Sequence, residues 1–455
     1  MTKATKTGLA TVMVSGALAT AAASAATLDA NTPVLGTVQQ REAESAVLRL
    51  LADRDVKAAM AAVREELASD PTAQTEAGKA TLDRAVTEFT TSLILLEASG
   101  DPRFPQFVWT PENTSHSWFG YEMPASAMGG DNPDQIYRQA FLDGTGHYVV
   151  SGRIDPSRRP TQQSFSIDRN WVAGVPPVRP KGKIFLGSYQ VALKNLDSLK
   201  VAPDGTFRFT IGPDKRPDDP DHVTLEPGNY LILSREIMSD WCQRPGRLQI
   251  DRVDPLSASP RTDAEIKSLV LQHLHGYVHY WGVFHHIFLG GPPANVTAGP
   301  FPREGGIGYL AGVRYQLQPG QVAVLTIDRR NAAYIGIQST DPWFVSPDSR
   351  HVQTSLNTSQ SVPNADGTFT YVVSPVDPGV ANWIDTAGLY EGILIARWMK
   401  VPEGQGPEGM IRSYAVANLA ELGTGALANV PRVTPKDRQA QMQRRARDYD
   451  CRLGI

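Results

Sequence analysis

Cysteine is nearly missing from this chain, with two residues, Cys242 and Cys451, among 455. That scarcity excludes a disulfide-dense scaffold and a four-cysteine zinc site. Two arrangements stay open: one bridge tying the C-terminal end to the middle of the chain, or two free thiols with Cys242 packed beside Trp241. A surplus of one charge is also missing. The 44 basic and 47 acidic residues leave a formal net charge of −3, which gives no electrostatic footprint for a polyanion and excludes nucleic acid as the expected partner. No apolar run reaches the roughly 18 residues that a membrane helix needs, so no membrane span is expected. No Gly-rich phosphate loop of the dinucleotide or P-loop type follows a strand pattern, and neither Gly-x-Ser-x-Gly nor HExxH occurs. The expectation is therefore a chain without NAD or ATP and with no resident cofactor.

What the chain does have is 39 Gly, 34 Pro, 14 Phe, 14 Tyr and 8 Trp, a composition of many turns between aromatic-bearing segments that favours short strands. Its first residues read as a secretory signal: Lys3 and Lys6, a mostly apolar stretch from Leu9 to Ala19, and Ala23-Ser24-Ala25 as a small-residue cleavage pattern. The expected compartment is periplasmic or extracellular. Helical spacing then appears over Gln39–Ser69, stopped by Asp70-Pro71, and again from Leu82 to Leu96 before Gly100-Asp101-Pro102. From Phe104 the period changes to two. Asp143-Gly144-Thr145-Gly146 and Pro203-Asp204-Gly205 read as hairpin turns, and Lys183–Leu193, Tyr230–Ile237 and Arg247–Val253 as further strands. A third helix is predicted over Asp263–Phe288, with Thr262 as N-cap. A second strand-rich stretch follows, with Asn364-Ala365-Asp366-Gly367 as another hairpin turn, and the chain from Pro402 reads as a polar, solvated helical tail.

The expected fold is mainly β with peripheral helices (α+β), as two antiparallel jelly-roll or sandwich-like halves separated by a helix. In chain order these are a signal peptide over 1–25, a helical region over 26–103, a first β-rich half over 104–260, a His-rich linking helix over 261–292, a second β-rich half over 293–402 and a helical tail over 403–455.

Several segments carry a family likeness. In the first half they are Asp131-Asn132-Pro133-Asp134 with Tyr137-Arg138, Val150-Ser151-Gly152-Arg153, and Leu233-Ser234-Arg235-Glu236 followed by Ser239-Asp240-Trp241. In the second half they are Asp366-Gly367-Thr368, Asp377-Pro378-Gly379-Val380, Asn382-Trp383-Ile384-Asp385-Thr386-Ala387-Gly388 and Arg397-Trp398. On these the chain resembles a bacterial family catalogued as domain of unknown function twelve-fourteen, often paired with domain twelve-fifty-four. The resemblance implies jelly-roll or sandwich architecture with associated helices, often in exported proteins, and implies no particular chemistry. The opening helices and the His-rich helix have no counterpart in the family's pattern.

Two constellations carry chemical promise. Five of nine histidines lie between Leu271 and His286. His275 and His279 share a helical face and suit Zn²⁺ or Cu²⁺ if an acid from elsewhere completes the set. His286, seven residues past His279, lies about 10 Å further along the axis and is out of reach of the same ion. The competing reading packs these rings between the two β halves with their polar tips hydrogen-bonded. The other constellation is Trp343, Asn357, Gln360, Asn382, Trp383, Asp385, Arg397 and Trp398. Aromatic faces with oriented amides, acids and a guanidinium suit a cleft for a small or oligomeric ligand such as a sugar, lipid or aromatic acid. The structural reading pairs Arg397 with Asp385 or Asp377 at a corner. Asn132, Asp134, Tyr137, Arg138, Arg235, Asp240 and Trp241 form a matching first-half set. The functional expectation is an exported ligand-binding protein. The alternatives are an extracytoplasmic hydrolase or His-dependent metal enzyme, and a cell-envelope assembly module that forms homo-oligomers. No catalytic residue is selected by spacing.

Overall fold

The computed structural model describes residues 34–169, 189–289, 293–303 and 307–453. The expected signal peptide, residues 1–25, lies outside the described residues, as does the start of the strand expected over Lys183–Leu193. Among the described residues the chain is mostly β with five α-helices, arranged as two sandwich-like halves beside a helical layer.

The helical layer comprises α1 (Val38–Ala52), α2 (Arg54–Leu67), α3 (Glu76–Ser99) and α4 (Asp263–Leu289). The single long helix expected over Gln39–Ser69 is two, because Asp53 is extended at ψ 137° and its carboxylate caps α2, accepting from the amides of Asp55 at 2.9 Å and Val56 at 3.3 Å. Thr75 caps α3, and Thr262 with Glu265 forms a reciprocal capping box on α4. The apolar stripe of α4 (Val270, Leu274, Tyr277, Val278, Trp281) packs against Val63 and Leu67 of α2 and Phe89, Leu93 and Leu96 of α3. Gly282 permits this approach, since a Cβ there would lie 2.9 Å from the Leu67 side chain. The His-rich helix is thus bound mainly into a helical bundle, which corrects its expected place between the β halves.

The first half holds β1 (Val108–Trp109), β2 (His116–Trp118), β3 (Tyr121–Met123), β4 (Gln135–Asp143), β5 (Tyr148–Arg153), β6 (Gln162–Arg169), β7 (Tyr189–Asn195), β8 (Thr206–Gly212), β9 (His222–Thr224), β10 (Asn229–Ile237) and β11 (Arg247–Arg252). Its sheets run β1-β4-β10-β6-β7 and β11-β5-β8-β9. The second half holds β12 (Ala298–Pro302), β13 (Gly308–Gln316), β14 (Gln321–Ile327), β15 (Tyr334–Thr340), β16 (Ser355–Asn357), β17 (Phe369–Ser374), β18 (Trp383–Asp385), β19 (Glu391–Met399) and β20 (Ile411–Asn418). Its sheets run β12-β13-β19-β15-β16 and β18-β17-β14-β20.

These two orders are one order written twice: β4, β10 and β6 correspond to β13, β19 and β15, and β5, β8 and β9 to β14, β17 and β18. The turns repeat as well. Gly205 and Gly367 sit at φ +84° and +83°, a region open to glycine. Beside them the Asp204 and Asp366 carboxylates each accept from the backbone amide and hydroxyl of the next threonine but one, Thr206 and Thr368. Their partner strands differ from the expected hairpins. The turn at Asp143–Gly146 carries the chain from β4 in one sheet to β5 in the other, and beyond the single bond from the Ala202 amide to the Thr206 carbonyl at 2.8 Å, β8 takes its ladders from β5 and β9 and not from the stretch before its turn. A local turn reverses the chain but does not choose its partner; packing of apolar faces between layers does. Phe165, Ile167, Phe207, Phe209 and Ile232 fill the first sandwich, and Leu325, Ile335, Ile337, Tyr371 and Trp398 the second.

The C-terminal stretch also departs from expectation. It contains β20, paired with β14, and only then α5 (Pro435–Leu453), which is docked rather than solvated: Arg438, Arg445, Tyr449 and Arg452 are buried. Cys242 and Cys451 are free thiols, and Cys242 is exposed rather than packed in the core.

Candidate functional site at the junction of the halves

The loop Asp131-Asn132-Pro133-Asp134, just before β4, is the hub of the junction. One Asp134 oxygen accepts from the Trp241 indole N–H at 2.7 Å and the Asn357 amide at 3.0 Å, and the other accepts from the Tyr334 hydroxyl at 2.8 Å. The Asn132 amide donates to Tyr334 at 2.9 Å, and the Gln338 amide to the Asp131 carbonyl at 2.7 Å. Helix α5 closes this hub. The Arg445 guanidinium lies 4.4 Å above the Trp241 ring and donates to the Ser355 carbonyl at 2.7 Å and hydroxyl at 2.8 Å, while Arg452 donates to the Pro133 carbonyl.

The predicted second-half site residues do not share a cleft. Trp343, Asn357 and Trp398 are 0%, Asn382 1% and Arg397 2% exposed. Each has a structural partner. The Trp343 N–H donates to the Gly78 carbonyl, Trp398 to Asp328 and Trp383 to Ser374. Asn382 spans the Val362 backbone in both directions. Asp385 is half-buried and accepts from the Ala387 amide. The expected pairing of Arg397 with Asp385 or Asp377 is replaced: Asp377 binds Arg438, and Arg397 donates to Gln338 and to the Gly130 carbonyl. Gln360 lies apart, on a groove of about 630 Å³ between α5 and the second half.

One of these residues takes part in a different cluster. Arg397 is the seventh residue of β19, and Arg235 is the seventh of β10, the strand that corresponds to it. Both follow two outward-facing apolar residues, Leu231 and Leu233 in one case and Ile393 and Ile395 in the other. Tyr137 faces Arg235 across β4 and β10. The third cation is Arg303, just after β12. Its electrostatic neighbours are Arg235, Arg397 and Tyr137, and burial together with the two cations pushes its guanidinium down to about 10. Arg235 donates to the Ser166 hydroxyl at 2.7 Å. Among the described residues, no carboxylate lies within ion-pair distance of Arg235, Arg303 or Arg397, and the Arg303 side chain makes no hydrogen bond. The nearby Asp131 carboxyl is raised by burial to about 7, against the pull of Arg397. The sequence reading missed Arg303, which stands in no motif. The signal that could have found the cluster is the equivalence of Leu233-Ser234-Arg235 with Ile395-Ala396-Arg397.

The predicted metal pair lies elsewhere. His275 and His279 stack with ring centroids 6.0 Å apart on the surface of α4, and α2 supplies the acid: one Glu66 oxygen lies 2.5 Å from His275 Nε2 and the other 2.9 Å from His279 Nδ1. The carboxylate already spans the pair, and the ion pairs hold Glu66 below its usual range.

No family model matches the chain, and no curated protein matches it. Among solved structures, an uncharacterised protein from Burkholderia cenocepacia is similar, with 21% identity and a TM-score of 0.65, over 83% of this chain and 100% of that one. The VPA0106 protein from Vibrio parahaemolyticus aligns at 9% identity over 64% of this chain and 90% of that one, with a TM-score of 0.36. The first likeness establishes the fold of two sandwich-like halves with associated helices. Among the described residues, no helix is long and apolar enough to cross a membrane.

Proposed function

We propose that the protein is an exported binding protein for a small organic acid, taken up at the junction by Arg235, Arg303 and Arg397 beside Tyr137. The observation that carries this reading is Arg303, a cation set against two others with, among the described residues, no carboxylate in ion-pair contact with any of them. Like charges gathered out of water disfavour the empty state, and a bound anion relieves it. Guanidinium forks match the planar carboxylate, while Tyr137, Leu231 and Leu233 supply an apolar wall that suits an aromatic or aliphatic body over a sugar. Export is supported by the N-terminal Lys3, Lys6, the apolar stretch and Ala23-Ser24-Ala25.

The test is a thermal-shift and calorimetric screen of the mature chain against benzoate, hexanoate, phosphate and glucose. Carboxylates are expected to raise the melting temperature saturably, glucose to leave it unchanged, and Arg303→Met to abolish the response. A carboxylate response that survives in Arg303→Met, or none in the wild type, removes this reading.

A further inference from the structure

A second site stands at the far end of α4, away from the arginine cluster and from the surface histidine pair. The chain leaves α2 through Asp70, whose carboxylate accepts from the Thr72 amide at 2.8 Å and caps the short 3₁₀ turn Pro71–Gln74. That turn is pressed onto α3: a Cβ on Gly78 would lie 1.9 Å from the Thr72 carbonyl oxygen, so only glycine allows the two to meet. The last turns of α4 bring His285 and His286 against it. The His286 Nε2 atom lies 2.9 and 3.0 Å from the two Asp70 oxygens, and the Thr72 hydroxyl lies 2.9 Å from His285 Nε2 and 3.5 Å from His286 Nε2.

Taking one donor atom from each of Asp70, His285 and His286, all lie within 4.8 Å of one another. Ligands about 2.05 Å from a tetrahedral zinc ion are separated by about 3.3 Å along each edge. The Asp70–His286 edge, at 2.9 Å, is close to that size, and the two edges to His285 lie within 4.8 Å. The surface pair differs in kind. There one carboxylate bridges two stacked rings, and the three donors do not close to this distance.

The set also has an opening. Thr72, His285 and His286 line a cavity of about 180 Å³ whose opposite wall is the sheet face carrying Arg314, Glu391 and Ile393. Arg314 and Ile393 are cross-strand partners on β13 and β19, so the wall is a rigid sheet surface. Three protein ligands with a fourth direction open to a cavity is the arrangement of an exchangeable metal centre, in contrast to a closed four-ligand structural site. Imidazole and carboxylate donors select a first-row divalent ion over Mg²⁺ or Ca²⁺, which prefer oxygen alone.

We infer that Asp70, His285 and His286 form a three-ligand site for a divalent transition-metal ion, Zn²⁺ in the first instance, whose open position faces the cavity under Arg314 and Glu391. The ion takes the place of the proton between Asp70 and His286, and Thr72 lies beside it as a hydroxyl donor to a bound water.

The test is metal binding to the full mature chain, stripped with chelator and titrated with Zn²⁺ by calorimetry and with Co²⁺ by visible absorption. The expected result is one ion per chain and the intense absorption of a tetrahedral Co²⁺ site. In His285→Gln/His286→Gln affinity should fall at least 100-fold, and in Asp70→Asn at least tenfold. Asp70→Asn keeps the cap on Thr72, so it separates loss of a ligand from loss of the turn. His275→Ala/His279→Ala should leave stoichiometry and spectrum unchanged. Absence of a stoichiometric ion in the wild type overturns the inference, as does full binding in a folded His285→Gln/His286→Gln variant. A site that disappears in His275→Ala/His279→Ala places the metal on the surface pair and also overturns it.

Discussion

Arg445 of α5 and Arg303 beyond β12 are both cations drawn out of bulk water at one junction, and they differ in what surrounds them. Arg445 has the Ser349 and Ser355 carbonyls, the Ser355 hydroxyl, the Trp241 ring and the charge of Asp134. Among the described residues, Arg303 has two further arginines and a tyrosine. A buried cation with complete hydrogen bonding is a structural element, whereas one left facing its own kind is either a defect or a place for something the chain does not supply. The contrast shows why residue type alone misleads: Trp343, Asn357, Asn382 and Trp398 have the chemistry of a binding site and are used to fasten loops.

The sharpest way to break the comparison is to delete each arginine. Arg445→Ala should lower unfolding free energy by about 3–5 kcal/mol, because it leaves two carbonyls and Asp134 without their cation. Urea unfolding followed by fluorescence measures this, and a loss under about 1 kcal/mol would place Arg445 in the other class. A comparable effect is expected from buried carboxylates. Burial raises Glu88 and Glu112 to about 8 and Asp131 to about 7, so these groups keep their protons in the fold while the unfolded chain releases them above about pH 4.5. Their contribution is present at low pH and is lost as pH rises through about 8. Glu88→Gln, beside Arg84, Asp341 and Asp131, should match the wild type near pH 4.5 and exceed it at pH 8; parallel pH profiles would sink the idea.

Arg303→Met should have the opposite sign to Arg445→Ala, raising stability without ligand by about 1 kcal/mol as like-charge repulsion is removed. A destabilised Arg303→Met would mean that Arg303 is structural after all. The smallest effect belongs to the exposed Glu66 pair: His275→Ala should shift stability by no more than about 0.5 kcal/mol, within the range of surface ion pairs.

Much of the fold was legible in the sequence because period-two patterning, turn residues and caps act locally. The end of α3 and nearly the whole of α4 follow from Gly100 and Thr262. The break at Asp53 was not legible, because a single Asp inside a long apolar period is compatible with a continuous helix until tertiary packing turns the chain. The twofold repetition of sheet order was hidden too, since the halves share position and turn geometry with few residues in common. Arg397 stood out as a charged residue among apolar neighbours, but its companion Arg303 is brought to it by β12–β13 pairing, a contact no spacing records. His285 and His286 were visible as histidines, while Asp70, read only as a helix stop, lies some 215 residues away in sequence and meets them through the packing of α2 on α4.

The docking of α5 has a consequence for how the molecule is made. Arg452 reaches back 319 residues to the Pro133 carbonyl, so the junction is sealed by a segment synthesised long after the loop it covers. A chain emerging from a ribosome can pair the strands of its first half early, yet holds Trp241 and the Asp131–Asp134 loop uncovered until α5 arrives. The interval between the two events is when a chaperone has something to hold.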